Sequence, residues 1–247
     1  MTWLIDTLLS TGALIVLVLL LRRPVSRLFG PGLAYALWAL PLLRLILPPL
    51  VLPAEPVPVT LVAPPLADLP LAATPAGTAE AGGIDWLVLL QAVWLAGALA
   101  YLVWRVWQYR AMRRALLRDA VEVGRAGTVR LVEGPAIASP VAFGLRDKVV
   151  ALPQGFLDRD DRRGRDLAIA HELEHHAGRD LAVNLAVQPL LALHWFNPVA
   201  WLGWRALRRD QEAACDARVL AGRDAHTRQA YARLIADFAR GPNLGLA

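Results

Sequence analysis

The sequence predicts a mainly α membrane protein, with three N-terminal transmembrane helices followed by a cytosolic α+β domain that carries a small antiparallel sheet. Three observations lead there. Apolar runs of about bilayer-spanning length cover 3–21, 33–52 and 85–107. Arginines crowd the ends of those runs and are missing from the stretch between the second and third. Farther along, short strand-like segments bounded by Gly and Pro give way to helical spacing.

The first run, Trp3 to Leu21, is followed by Arg22, Arg23 and Arg27. A cleavable signal peptide has its positive charges in front, so this run reads as a retained span. Residues 53–84 are rich in Pro, Ala and Gly, with Glu55, Asp68 and Glu80 as the only charges. After the third run come Arg105, Arg110, Arg113, Arg114 and Arg118. The positive-inside rule then puts the N-terminus outside, the turn at 22–27 inside, the 53–84 loop outside and residues 110–247 in the cytosol. Arg44 falls within the second run. Charges at that depth serve either a function or a contact, by snorkelling or by hydrogen bonding to another helix.

Of the 247 residues, 56% are hydrophobic, and the formal net charge is +5. A basic balance can signal nucleic acid, but here the arginines flank apolar runs, which makes membrane lipid the expected partner and direct nucleic-acid binding not expected. The single cysteine, Cys215, excludes an intrachain disulfide and a Cys-rich metal site.

In the cytosolic part, Val129 to Val132 and Lys148 to Leu152 read as short strands. The pattern becomes helical from Arg162. A helical stretch from Trp204 to Arg240 is interrupted at Gly222 and ended by Gly241-Pro242. The apolar segment 181–204 holds Asn184, Gln188, Pro189, His194, Asn197 and Pro198, which a lipid-facing span would not welcome. It reads as membrane-associated or buried against protein, which keeps the residues on either side of it in one compartment.

The chemistry centres on His171-Glu172-Leu173-Glu174-His175. Histidines four apart stack on one helical face and can share one Zn²⁺, with a glutamate between them as general base. The segment satisfies both HExxH, with Glu172 as the base, and the inverted HxxEH, with Glu174. A catalytic zinc needs a third protein ligand and an open position. His176 points about 100° away and reads as a supporting or surface residue. His194 reads as a hydrogen-bonded structural histidine. Glu212 and Asp216, four apart on one helical face, fit a third ligand and a residue that steadies a ligand histidine. A charged surface helix would carry the same pair.

The chain resembles the BlaR/MecR group of membrane zinc metallopeptidases. The resemblance rests on Tyr35 to Pro48, Ser139 to Gly144, the HELEH segment with Arg179, Asp180 and Asn184, Trp195-Phe-Asn-Pro198, and Glu212-Ala-Ala-Cys-Asp216. It implies a gluzincin-like zinc protease domain with His171, His175 and Glu212 as ligands, Glu172 as catalytic base and Asp216 in support. Cys215 is implied to pack near the site. It further implies a bacterial inner membrane and a cytosolic protein substrate of the winged-helix repressor type, in a signalling or resistance pathway. The family's sensors add a penicillin-binding domain, whereas no SxxK acylation motif occurs in these residues. For these residues, whether a shorter member or a piece of a larger protein, the resemblance implies the proteolytic core. Two other readings remain at this point: a non-catalytic membrane scaffold, and a CAAX-processing or HtpX-like protease. Substrate pairing with a strand edge is expected at Lys148 to Leu152.

Overall fold

The structure, a computed structural model, describes residues 2–47, 85–158 and 160–240. The expected outer loop 53–84 and the segment 241–247 lie outside the described residues. Helix α1 (Thr2–Phe29) ends at Gly30, whose φ of 90° leaves the helical region, and Pro31 opens α2 (Pro31–Ala36). After a turn at Leu37 and Trp38 comes α3 (Ala39–Ile46). Helix α4 (Trp86–Leu117) is capped by Asp85, whose carboxylate accepts from the amides of Leu87 and Val88.

Two of these elements, Leu4–Phe29 and Trp86–Leu117, are long and apolar enough to cross a membrane. The expected second span is different within the described residues, where 33–46 forms two short helices instead of one. Pro41 explains the break: it cannot donate to the Leu37 carbonyl, and its ring would clash there if a single helix ran through. Arg44 bonds Asp6 of α1 at 2.6 Å, so its role in the structure is a helix contact.

Four strands follow: β1 (Val121–Ala126), β2 (Val129–Gly134), β3 (Val141–Phe143) and β4 (Val149–Pro153). Their order is β1-β2-β4-β3, with β2 and β4 parallel and the outer pairs antiparallel. The expected antiparallel sheet is thus a mixed one. Residues Val149 to Leu152 have no exposed surface. A short unbroken apolar run of this kind belongs to a strand covered on both faces. This also corrects the expected binding edge: Lys148 to Leu152 lies inside the sheet, and β3 is the edge on that side.

Helix α5 (Arg162–Ala177), capped by Asp161, packs on β3 and β4. A turn through Arg179 at φ 57° leads into α6 (Asp180–Ala186) and α7 (Gln188–Leu193). Helix α8 (Pro198–Val219) has Asn197 as cap and Pro at its first position, which accounts for the Asn-Pro pair. Helix α9 (Ala225–Arg240) closes the described chain. The apolar segment 181–204 is not one helix. Its Val187, Leu190, Leu191 and Ala200 are buried in one cluster with Ile15, Val18 and Ala98 of the long helices. Indole and phenol groups secure the join, with Trp94 donating to the Leu193 carbonyl at 3.0 Å and Tyr101 to Gln188 at 2.8 Å. His194 is buried, bonded to Thr11 at 2.8 Å and Asn197 at 3.3 Å, in keeping with a structural role.

Candidate metal centre

Helix α8 links the two halves of the molecule. Its first turns, with Ala200, Trp204 and Leu207, pack in the apolar cluster, and its later turns place Cys215 and Val219 with Leu167 of α5 and Tyr231 of α9. Between them, Glu212 faces α5. There Glu212 Oε2 stands 3.5 Å from His171 Nε2 and 3.4 Å from His175 Nε2. Donor atoms of a tetrahedral zinc site with bonds of about 2.0–2.1 Å are roughly 3.4 Å apart, so Glu212 Oε2 stands from each Nε2 at the spacing of two ligands on one metal.

Hydrogen bonding fixes which ring nitrogen is free. Tyr231 donates its hydroxyl to Asp216 Oδ1 at 2.6 Å, which leaves its oxygen to accept from His171 Nδ1 at 2.7 Å. The His175 Nδ1 donates to Asp180 Oδ2 at 2.8 Å. Both imidazoles therefore present Nδ1–H to these acceptors and turn Nε2 toward Glu212, the atom that a metal would take once its proton is lost. Asp216 also lies 3.4 Å from His171 Nδ1, on the side where the sequence places its support.

Cys215 forms a looser alternative group with the same histidines, with ligand atoms up to 4.8 Å apart. Its Sγ sits 3.7 Å from His171 Nδ1, the nitrogen that Tyr231 already occupies. The tighter spacing and the free Nε2 atoms favour Glu212 as the third arm.

The charges balance within the cluster. Burial pushes the Glu212 carboxyl up, but His171 and His175 outweigh it and hold the group well below the usual carboxylate range. Burial works against a charged His175 as well, yet Asp180, Cys215 and Glu212 raise it to about 11 in the absence of metal. His171 is raised in the same way, with Asp216 as the main counterweight to burial. Glu172 behaves otherwise: burial raises its carboxyl, and the two imidazoles and the Ala142 amide of β3 offset this only in part.

The two glutamates of the motif are thereby separated. Glu172 lies by the imidazoles, whereas Glu174 accepts from Arg218 Nε at 3.2 Å. His176 is buried and donates to the Val149 carbonyl of β4 at 3.2 Å, so it ties α5 to the sheet and is neither a surface residue nor a support of the histidine pair. Three residues that sequence reasoning did not assign complete the surroundings: Asp180, Tyr231 and Arg218, which donates to Asp180 Oδ2 at 2.9 Å. Asp180 sits only five residues beyond His175, but a left-handed turn intervenes and no helical spacing could have shown the contact.

The sequence also has characterised relatives. The protein is 29% identical over 112 residues to the regulatory protein BlaR1 of Bacillus licheniformis, covering 44% of this chain and 18% of that protein. It is 23% identical over 155 residues to the methicillin resistance mecR1 proteins of Staphylococcus aureus and Staphylococcus epidermidis, covering 57% of this chain and 26% of theirs. The matched part is thus about a quarter or less of these relatives' length. The BlaR1 peptidase M56 family matches residues 2–244, which decides against the CAAX-processing and HtpX-like groups. The chain belongs to the BlaR1 peptidase M56 family of metal-dependent peptidases.

Proposed function

We propose that this chain is a membrane-embedded zinc endopeptidase that cleaves a cytosolic protein in a signalling or resistance pathway. The observation that carries the reading is the convergence of His171 Nε2, His175 Nε2 and Glu212 Oε2 at 3.4–3.5 Å. These three residues would hold the metal. A bound Zn²⁺ supplies an acidified water and a polarised scissile carbonyl.

The chain's own groups do the rest. Asp180 and the Tyr231–Asp216 pair keep both imidazoles turned with Nε2 inward. Arg208 lies 3.5 Å from Glu212 Oε1 and so holds the oxygen that does not face the histidines. Glu172, its carboxyl raised by burial, takes the proton from the attacking water as the water oxygen bonds to the carbonyl carbon. It then hands that proton to the amine nitrogen as the C–N bond breaks. The sheet edge β3 offers backbone pairing to an extended substrate, and its Ala142 amide faces Glu172.

Two long apolar helices and the placing of arginines support a multi-pass protein with its N-terminus outside and the protease in the cytosol. The names of the relatives, a regulatory protein and methicillin resistance proteins, support a role in the same class of pathway, and the family resemblance implies a winged-helix repressor as the substrate type. A non-catalytic scaffold gives no reason for a carboxyl raised by burial beside two inward-facing imidazoles.

The test is zinc content and cleavage of a repressor-type protein by the full chain in lipid nanodiscs. Glu172→Gln should keep zinc and lose at least about a hundredfold in cleavage rate. Glu174→Gln should keep most of its activity. Equal loss in both would revive the inverted motif, and unchanged cleavage in Glu172→Gln would remove this residue as the base.

A further inference from the structure

Three consecutive residues of α8 face three different partners. Asp210 is 6% exposed and accepts from Arg22 twice, Nε to Oδ2 at 2.8 Å and Nη2 to Oδ1 at 2.6 Å. It accepts a third time from the Trp38 indole, at 2.8 Å. Gln211 is fully buried and donates to the Tyr35 hydroxyl at 2.8 Å and to the Asp180 carbonyl at 3.2 Å, while its own oxygen accepts from Arg208. Glu212 turns to the histidines. Arg22 belongs to α1, Tyr35 to α2 and Trp38 to the turn after it.

Successive helical residues point about 100° apart. A single anchor would leave a helix free to roll about it. Anchors on consecutive residues, aimed at different elements, fix both the roll and the height of that turn. The third side chain then has little freedom in where its carboxylate lands. Asp180 closes the circuit, because its carboxylate holds His175 and its backbone carbonyl holds Gln211. A buried Arg–carboxylate pair is weak as a source of net stability, since apolar replacements often serve as well, and its best-attested service is to fix register.

We propose that Arg22 and Tyr35, on the N-terminal apolar helices, are positioning residues for the metal centre. Through Asp210 and Gln211 they set the turn of α8 that brings Glu212 Oε2 within 3.4–3.5 Å of both imidazoles. The proposal rests on the reading of His171, His175 and Glu212 as ligands. It makes the arrangement of α1 and α2 against α8 a determinant of metal coordination, not only of overall packing.

The experiment uses the full chain in nanodiscs, loaded with Co²⁺, whose visible absorption bands report the ligand set and its geometry. Zinc affinity is measured in parallel by chelator competition, and unfolding of the metal-free protein serves as the fold control. The variants are Tyr35→Phe, which removes one oxygen, and Arg22→Gln combined with Asp210→Asn, which leaves no lone buried charge. Glu212→Gln is the reference for a lost third ligand. Both test variants should unfold cooperatively, move the Co²⁺ bands toward the reference spectrum and weaken zinc binding about 10–100-fold. Wild-type bands and affinities in cooperatively folded variants would overturn the proposal while leaving the ligand reading intact. Identical spectra for wild type and Glu212→Gln would overturn the ligand reading and this proposal with it. If the double variant does not fold, Tyr35→Phe decides alone.

Discussion

The His175 imidazole and the Asp180 carboxylate meet at 2.8 Å across the turn that joins α5 to α6, with Asp180 fully buried. The same oxygen accepts from Arg218 at 2.9 Å. Asp180 therefore fixes the ring's proton on Nδ1 and anchors the C-terminal end of the motif helix. Asp180→Asn keeps the size and one accepting oxygen but loses the charge that holds both neighbours. Zinc affinity should fall about 10–100-fold, as for other residues that orient a ligand histidine. Chelator competition at fixed pH checks this, and an unchanged dissociation constant would show that Asp180 serves only the fold.

On His171 the corresponding support runs through two residues in series, Tyr231 and Asp216. Tyr231→Phe removes the link, but Asp216 Oδ1 already lies 3.4 Å from the ring nitrogen and can close on it. The single variant should lose about tenfold in zinc affinity, at the low end for such supports. Asp216→Ala in the Tyr231→Phe background should cost more than Asp216→Ala alone, because it then removes the group that has taken over the ring's support. A double-mutant cycle on zinc binding with additive effects would contradict the series arrangement.

Protons compete with the metal at this centre. Without metal, burial disfavours charged imidazoles, but the surrounding hydrogen-bond partners outweigh it and raise both above the ordinary value of 6.5. Groups raised on folding add stability that is complete below about pH 6.5 and is lost as pH rises through the folded value, about 11 for His175. The metal-free protein should thus grow less stable in alkali. Zinc binding should do the opposite and strengthen as pH rises, with about two protons released near pH 7. Titration calorimetry in buffers of differing ionisation enthalpy measures that number, and a release near zero would show the histidines to be neutral beforehand.

Gly144 should not tolerate a side chain. Its φ is 87°, and a Cβ there would collide with the Asp147 carbonyl in the turn between β3 and β4. Gly144→Ala should destabilise the protein by about 1–3 kcal/mol, read as a lower unfolding midpoint. Activity in the surviving folded fraction should fall as well, since the turn continues β3, whose Ala142 amide faces Glu172. A midpoint equal to wild type would mean that the turn relaxes without strain.

The residues that meet at the candidate site were legible in the sequence because each pair repeats at helical spacing: His171 with His175, and Glu212 with Asp216. Their supports were not, for lack of any period. Asp180 reaches back across a left-handed residue, and Tyr231 arrives from α9, 60 positions beyond His171. The sheet was half legible. The unbroken apolar run of β4 marked a strand, and its two-sided burial could have been read from the same run. The strand β3 is three residues long, and β1 is largely exposed, so neither leaves a clear alternation. Length and hydropathy suggested a full second span, while Pro41, already in the sequence, marks where that helix breaks.

Arg22 and Asp210 stand 188 positions apart. During translation, at roughly 5–20 residues per second, the motif helix with both histidines leaves the ribosome before the segment that carries Glu212. The early-made helices α1 and α2 already hold the arginine and tyrosine on which that segment will seat. If His171, His175 and Glu212 are the ligands, a newborn chain completes its metal centre only when its late helices dock on its earliest ones.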